Sequence, residues 1–236
     1  MNMSRILIAE DEEAIRELIA VNLTKAGFDV VKTCDGQQAI DTFSADGGFD
    51  AVLLDIMMPN MDGVEVCRQI RKTDSTVGII MLTAKSQDSD KVDALMTGAD
   101  DYVTKPFSPT ELVARVSTVC RRVALLKNSQ NIIATAGPDS DKSEFTLNLR
   151  RRTLSKKGKE LELTPVEFQM IEILFDAKGD SVDRDAFLHK IWGETFLGED
   201  KIVDVNIRRL RMKIEDDPGE PRHILTVRGI GYRWKD

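Results

Sequence analysis

Leu53-Leu54-Asp55-Ile56-Met57-Met58-Pro59-Asn60-Met61-Asp62-Gly63 is the stretch that decides the fold. The apolar run Ala51 to Leu54 has the length of a buried strand and stops at a single carboxylate, Asp55. Pro59 and Gly63 then break the chain, and Asp62 with Glu65 has the pattern of a helix cap. Asp55 is therefore expected where a strand hands over to a loop. In an open parallel α/β sheet, the carboxyl edge of the strands is where ligands and chemistry collect.

Working outward, the same alternation recurs. Arg5–Ala9 is strand-like and runs into Glu10-Asp11-Glu12. Ile15, Leu18, Ile19 and Leu23 recur at helical spacing before Gly27. Asp29–Thr33 is strand-like, and Asp35 opens a helix through Phe43 that ends near Gly47-Gly48. After the Asp55 strand comes a helix over Val64–Arg71, a strand over Val77–Leu82, and a helix marked by Val92, Leu95 and Met96 that stops at Gly98. Asp101–Lys105 is a short strand. Ser108-Pro109-Thr110-Glu111 then forms a capping box that launches a helix to about Leu126. Five strands alternating with five helices predict a five-stranded, doubly wound parallel sheet.

Glu10-Asp11, Asp55, Thr83 and Lys105 each follow the apolar core of a different strand, so a parallel sheet brings them to one edge. Three carboxylates there would repel one another and resist ionisation unless a cation joined them. Mg²⁺ suits such a site, with carboxylates, waters and phosphate oxygens as ligands. Asp55 can then act as a carboxylate nucleophile, Lys105 can pair with a phosphoryl oxygen, and the Thr83 hydroxyl can donate to another. Any one of these residues alone would read as a solvated loop residue; the joint placement carries the argument. A haloacid-dehalogenase-type phosphotransferase would want a second Asp two residues after the nucleophile, where this chain has Met57.

Ile6–Glu12, Leu54–Pro59, Leu82-Thr83-Ala84 and Gly98–Phe107 resemble the receiver domain of bacterial two-component response regulators, which is CheY-like in fold. The resemblance implies that a sensor histidine kinase phosphorylates Asp55. It also implies Mg²⁺ bound by Asp11, Asp55 and the Met57 carbonyl with Glu10 nearby, and a switch pair of Thr83 and Tyr102. The readout would lie on the helix around Val92, the strand Asp101–Lys105 and the helix that follows it. Lys91, Asp101, Glu111 and Arg115, of opposite signs, are expected to pair across a symmetric receiver dimer there. A phosphoryl group adds about −1.5 to −2 charge, enough to bias a two-state element.

The chain has 236 residues and 42% hydrophobic content, which suits two modest folded domains. The expected boundaries are a receiver over 1–126, a flexible linker over 127–143 with Gly137-Pro138, and a second domain over 144–236. Net charge is −7, unevenly spread. Residues 1–127 hold 14 Lys/Arg against 20 Asp/Glu, and residues 128–236 hold 19 against 20. An acidic first half fits a divalent cation. A nearly neutral second half fits nucleic acid only if its cations cluster. The opening residues run straight into a strand, so no signal peptide is expected, and no apolar stretch reaches the roughly 20 residues that span a bilayer. Cys34, Cys67 and Cys120 form no CxxC and no even set, which fits a reducing cytoplasm.

In the second half, Phe145–Leu149, Arg152–Ser155 and Glu160–Leu163 read as short antiparallel strands, the last two joined by a Lys157-Gly158 turn. Thr164-Pro165-Val166-Glu167 caps a helix with Phe168, Ile171, Leu174 and Phe175 on one face. A second helix runs from about Asp183 to Trp192, and Gly193–Asp200 is a loop. In Lys201–Ile214, Val203, Ile207, Leu210 and Ile214 form one core stripe. Lys201, Asn206, Arg208, Arg209, Arg211 and Lys213 fall off that stripe, leaving a locally basic helix against Asp204. Ile224–Val227 and Tyr232-Arg233-Trp234 then flank a basic, Gly-rich tip at Arg228-Gly229-Ile230-Gly231. Helix plus hairpin predicts a winged helix-turn-helix.

Glu162–Phe168, Val203–Arg211 and Thr226–Tyr232 resemble the DNA-binding effector domain of the OmpR/PhoB family. That resemblance implies Arg209 at a base edge and Arg228 in the minor groove. It places Lys201, Asn206, Arg208, Arg211, Trp192, Thr226 and Tyr232 on phosphates. Many relatives carry His where this chain has Asn206 and Arg where it has Lys201. The Gly193–Asp200 loop resembles the segment that contacts RNA polymerase. His189 and His223 read as structural. The expected protein is a transcription factor and not an enzyme, beyond slow self-dephosphorylation. It would homodimerise on phosphorylation and bind promoter DNA. The alternative is a phosphorylation-independent regulator that uses its receiver only to dimerise.

Overall fold

The structure is a computed structural model that describes residues 3–84, 95–130, 144–194, 196 and 200–235. The chain divides into two compact units, Met1–Ala124 and Leu125–Asp236. Among the described residues no helix is long and apolar enough to cross a membrane.

The first unit holds strands β1 (Arg5–Ala9), β2 (Asp29–Thr33), β3 (Ala51–Asp55), β4 (Gly78–Ala84) and β5 (Asp101–Lys105). They form one parallel sheet in the order β2-β1-β3-β4-β5. Helices α1 (Glu13–Lys25), α2 (Gly36–Asp46), α3 (Gly63–Thr73) and α4 (Pro109–Gln130) connect or follow them. β3 and nearly all of β4 are buried because helices cover both faces of a parallel sheet. Ile8, Leu53, Leu82 and Val103 of the sheet share one core with Ile19 and Leu23 of α1 and with Leu112 and Val116 of α4.

The local signals behave as their chemistry demands. Asp35 caps α2 by accepting from Gln38 N, and Asp62 caps α3 by accepting from Glu65 N at 2.7 Å. The helix expected before Gly98 shows its last turn at 95–97, and its earlier part, Lys91 and Val92 included, lies outside the described residues. α4 runs to Gln130, so residues 127–130, expected in the linker, are helical: no Gly or Pro interrupts the chain there. Residues 131–143 of the expected linker lie outside the described residues.

The second unit opens with β6 (Phe145–Asn148), β7 (Thr153–Lys156) and β8 (Lys159–Leu161) in an antiparallel sheet. Helices α5 (Pro165–Asp176), α6 (Arg184–Trp192) and α7 (Lys201–Ile214) follow, then the hairpin of β10 (Ile224–Val227) and β11 (Gly231–Trp234). Thr164 and Glu167 form the expected capping box at α5. β9 (Val182–Asp183) pairs with β11 and completes the wing sheet. Two residues are too few to show a strand period, so sequence pattern does not reveal β9. Gly231 makes the pairing possible, because a Cβ there would collide with the Val182 carbonyl oxygen. The described residues of this unit form a winged helix, with α5, α6 and α7 and a terminal hairpin.

Candidate functional site

In the first unit the register places Ala9 beside Leu54, Asp55 beside Leu82 and Ala84 beside Lys105. The residues that end β1, β3, β4 and β5 therefore meet on one edge, as expected. Ligand oxygens of Glu10, Asp11 and Asp55 lie within 4.8 Å of one another. Lys105 Nζ sits 2.7 Å from Glu10 Oε2 and 3.1 Å from Asp55 Oδ1. Glu10 and Asp55 are buried, while Asp11 is exposed.

Burial pushes the Glu10 carboxyl above its ordinary range, opposed by the hydrogen bond from Lys105 and helped by the charge of Asp55. Asp55 is pushed up by burial too, with Lys105 opposing and Asp11 adding repulsion. Burial works to lower the Lys105 ammonium, but its bonds to Glu10 and Asp55 outweigh that and raise it. With all four groups ionised, three negative charges face one positive charge, which fits a divalent cation. Asp11 is the member of this cluster whose carboxylate is open to solvent. No other group of three or more His, Cys, Asp or Glu among the described residues could hold a metal.

The backbone around Asp55 is held closely. Ile56 N donates to Leu82 O, and Gly63 N donates to Ile56 O at 3.1 Å. A Cβ on Gly63 would collide with the Asp55 carbonyl oxygen, so glycine lets α3 start against the end of β3. The Met57 side chain is exposed, and its backbone N–H bonds Asp55. Thr83 is buried, and its hydroxyl donates to Ala84 O at 3.1 Å. Tyr102 is buried on β5. The peptide bond from Lys105 to Pro106 is cis.

Of the four residues expected to pair between receivers, Lys91 lies outside the described residues. The other three are joined within the chain. Arg115 Nη1 donates to both Asp101 oxygens at 3.1 and 3.2 Å, and Arg115 Nη2 reaches Glu111 Oε1 at 2.8 Å. Asp101 is fully buried, and burial lifts its carboxyl despite Arg115.

The outer surface of the second unit departs from the expectation in one important way. Asn206 and Arg209, read as lying off the core stripe of α7, are buried. Arg209 Nη2 lies 2.9 Å from Glu167 Oε1, and Nη1 donates to Asn206 Oδ1 at 3.2 Å. Asn206 donates to Ile202 O. The apolar stripe marks only part of the inward arc, because Glu167 supplies a buried counter-charge that draws cations inward. Lys213 Nζ also reaches Glu167 at 2.6 Å. Burial raises the Glu167 carboxyl, but Arg209 and Lys213 outweigh it and hold it below its ordinary range. Arg209 is therefore committed to the interior rather than presented to a base edge.

Lys201, Asp204, Arg208, Met212 and Lys213 are the exposed residues of α7, with Arg211 half-buried beside them. Arg211 donates to Ile224 O at 2.7 Å and to Thr226 Oγ1 at 2.9 Å, tying α7 to the hairpin. Arg228 is exposed at the hairpin tip with Ile230. Trp192 is buried with its ring tilted against that of Phe196, and Tyr232 is buried with its hydroxyl donating to Asp204 Oδ1 at 2.7 Å. Residues 195 and 197–199 of the loop before α7 lie outside the described residues.

Sequence reasoning missed Arg184. Its Nε donates to Asp204 Oδ1 at 2.7 Å, and its guanidinium lies over the Tyr232 ring at 5.0 Å. One signal was available: a cation in the first turn of a helix opposes the helix dipole, so it needs a partner from elsewhere.

Residues 6–117 match the family model described as "response regulator receiver domain", and residues 158–234 match that described as "transcriptional regulatory protein, C terminal". The chain is 40% identical over 233 residues to the sensory transduction protein RegX3 of Mycolicibacterium smegmatis, covering 98% of this chain and 99% of that one. Among solved structures, it is similar to the response regulator DrrB, an OmpR/PhoB homologue of Thermotoga maritima. That match has 30% identity and a TM-score of 0.51 and covers 100% of both chains. A mutant form of RitR shares the fold at a TM-score of 0.76 and 24% identity, covering 99% of both chains.

Proposed function

The chain belongs to the OmpR/PhoB-type response regulators of two-component systems, and on that premise we propose that Asp55 accepts a phosphoryl group that controls promoter binding. The family consists of transcription factors rather than enzymes. The observation that carries the proposal is Lys105 Nζ bridging Glu10 and Asp55 beside Asp11. That cluster on one edge of the sheet supports Asp55 as the carboxylate nucleophile and Lys105 as the cation for phosphoryl oxygens.

The donor is a phosphohistidine of a sensor kinase. An Asp55 oxygen attacks phosphorus, the phosphorus–nitrogen bond breaks, and the imidazole leaves with the electron pair and takes a proton. Mg²⁺ held by Asp11, Asp55 and the Met57 carbonyl with Glu10 nearby would neutralise charge on the transferring group. Lys105 exchanges a carboxylate for a phosphoryl oxygen, and Thr83 turns its hydroxyl from Ala84 O to another. Tyr102 repacks behind Thr83 and passes the change to the face carrying Asp101, Glu111 and Arg115. Two receivers meet on that face. For these charges to pair between copies, together with Lys91, the bonds from Arg115 to Asp101 and Glu111 must exchange.

Dimerised receivers raise the effective concentration of two winged helices on adjacent half-sites. The segment after Gln130 and up to residue 143 serves as the tether. Lys201, Arg208, Arg211, Thr226 and Arg228 supply the phosphate and minor-groove contacts, with α7 in the major groove. The Gly193–Asp200 loop faces RNA polymerase. A reducing cytoplasm is the compartment that suits the three free cysteines.

Acetyl phosphate with Mg²⁺ tests the reading. The intact chain should gain one phosphoryl group by mass, dimerise and bind its DNA more tightly, and Asp55→Ala should do none of these. A chain that takes no phosphoryl group under these conditions sinks the proposal. Phosphorylation with unchanged DNA affinity would instead identify a regulator whose receiver serves dimerisation alone.

A further inference from the structure

α7 carries one acid, Asp204, among Lys201, Arg208, Arg209, Arg211 and Lys213. A carboxylate on a surface that approaches phosphates is repelled by them, so its position calls for a physical reason. The chain fixes one of its two oxygens. Arg184 Nε and the Tyr232 hydroxyl both donate to Oδ1, each at 2.7 Å. Arg184 Nη2 lies 3.2 Å from the Tyr232 hydroxyl oxygen, and the guanidinium of Arg211 lies 5.7 Å from the centre of the Tyr232 ring. Burial and the bond to Asp204 push the Tyr232 hydroxyl up to about 12, so it keeps its proton and remains a donor.

The other oxygen is left to solvent. No hydrogen bond among the described residues ends on Asp204 Oδ2, and the side chain is 46% exposed. Asp204 lies one helical turn from both Lys201 and Arg208 on the outer face of α7. The result is an oriented, acceptor-only oxygen between two exposed cations.

We propose that Asp204 is a specificity-determining residue whose Oδ2 accepts a hydrogen bond from the exocyclic amine of a cytosine in the major groove. The inference rests on the assignment of this face to DNA. An ionised carboxylate can only accept. Cytosine offers a lone N4 donor in the major groove, whereas adenine sets its N6 donor beside the N7 acceptor, which repels a carboxylate. Guanine offers acceptors alone, and thymine an acceptor and a methyl group. Arg184 and Tyr232 act as positioning residues: they hold the carboxylate in place before DNA arrives, so little side-chain freedom is lost on binding.

The test uses the phosphorylated full chain and duplexes selected from a random pool. The wild type should require cytosine at one position, and replacing that C·G pair should weaken binding about tenfold. Asp204→Ala should bind all four bases at that position about equally while keeping its preferences elsewhere. Arg184→Ala should weaken the cytosine preference without moving it to another base. Far-ultraviolet circular dichroism confirms that each variant is folded. An Asp204→Ala chain that loses affinity equally for every sequence, or keeps the cytosine preference, overturns the inference and leaves the DNA-binding reading standing. A wild-type chain that selects no sequence overturns both.

Discussion

Arg209 Nη2 lies 2.9 Å from Glu167 Oε1, with both side chains almost fully withdrawn from solvent. This pair joins the third helix of the winged domain to the first. It converts a residue that helical periodicity assigns to the outer face into part of the interior. A buried pair contributes little relative to an apolar contact of the same shape, but breaking it is severe. Removing one partner strands the other charge.

Glu167→Gln should therefore destabilise the winged domain by about 3 kcal/mol, the lower end of the range for breaking a buried pair. Both tryptophans, Trp192 and Trp234, lie in this unit, so denaturant titration followed by tryptophan fluorescence reads it within the full chain. The same carboxylate sets a pH dependence. Its folded-state pKa is depressed, so its contribution is complete above the ordinary glutamate range and is lost as pH falls through the lower folded value. The gap in stability between wild type and Glu167→Gln should shrink across that acid window and stay constant above it.

Divalent cation should stabilise the receiver. Three clustered carboxylates against one ammonium should give the folded chain an affinity for Mg²⁺ that the unfolded chain lacks. At ten times the dissociation constant the gain is about 1.4 kcal/mol. Calorimetry should show the receiver transition rising with Mg²⁺ in the wild type, and the rise should largely vanish in Asp11→Asn. An equal rise in both would remove Asp11 from the metal site.

Gly63→Ala should damage the proposed phosphorylation site from outside it. The added methyl group has no room against the Asp55 carbonyl oxygen, so α3 or the end of β3 must shift, at about 1–3 kcal/mol. The expected readout is a lower receiver transition temperature together with slower uptake of phosphoryl from acetyl phosphate. A variant that is destabilised but phosphorylated at the normal rate would show that α3 alone moves.

Arg115 serves the receiver before it serves any dimer. Arg115→Ala leaves the buried Asp101 carboxylate without its guanidinium and should lower the receiver transition temperature even in the unphosphorylated chain. Glu111 is part-exposed, so Glu111→Ala should leave that temperature nearly unchanged while lowering the dimer fraction after phosphorylation. Sedimentation with and without acetyl phosphate separates the two effects.

Arg228→Ala should weaken DNA binding by a similar factor across sequences of equal groove width. It should also lower the slope of log affinity against log salt by about one. The residue is exposed at the hairpin tip, so stability should hold.

The alternation of apolar runs with helical periods was enough to specify the parallel sheet. Strand order is not needed to see that Glu10, Asp55, Thr83 and Lys105 share an edge, since every strand of a parallel sheet ends on the same side. The caps at Asp62 and Thr164 were equally legible, because their hydrogen bonds span three residues. What the sequence could not determine was every relationship that depends on packing between distant elements. The pairing of Glu167 with Arg209, the two-residue strand β9 against Gly231, and Arg184 on Asp204 and Tyr232 join residues far apart in the chain. Helical periodicity places a side chain around an axis but does not say which neighbour covers that side. A buried counter-charge can draw an arginine inward, and only the tertiary structure supplies one.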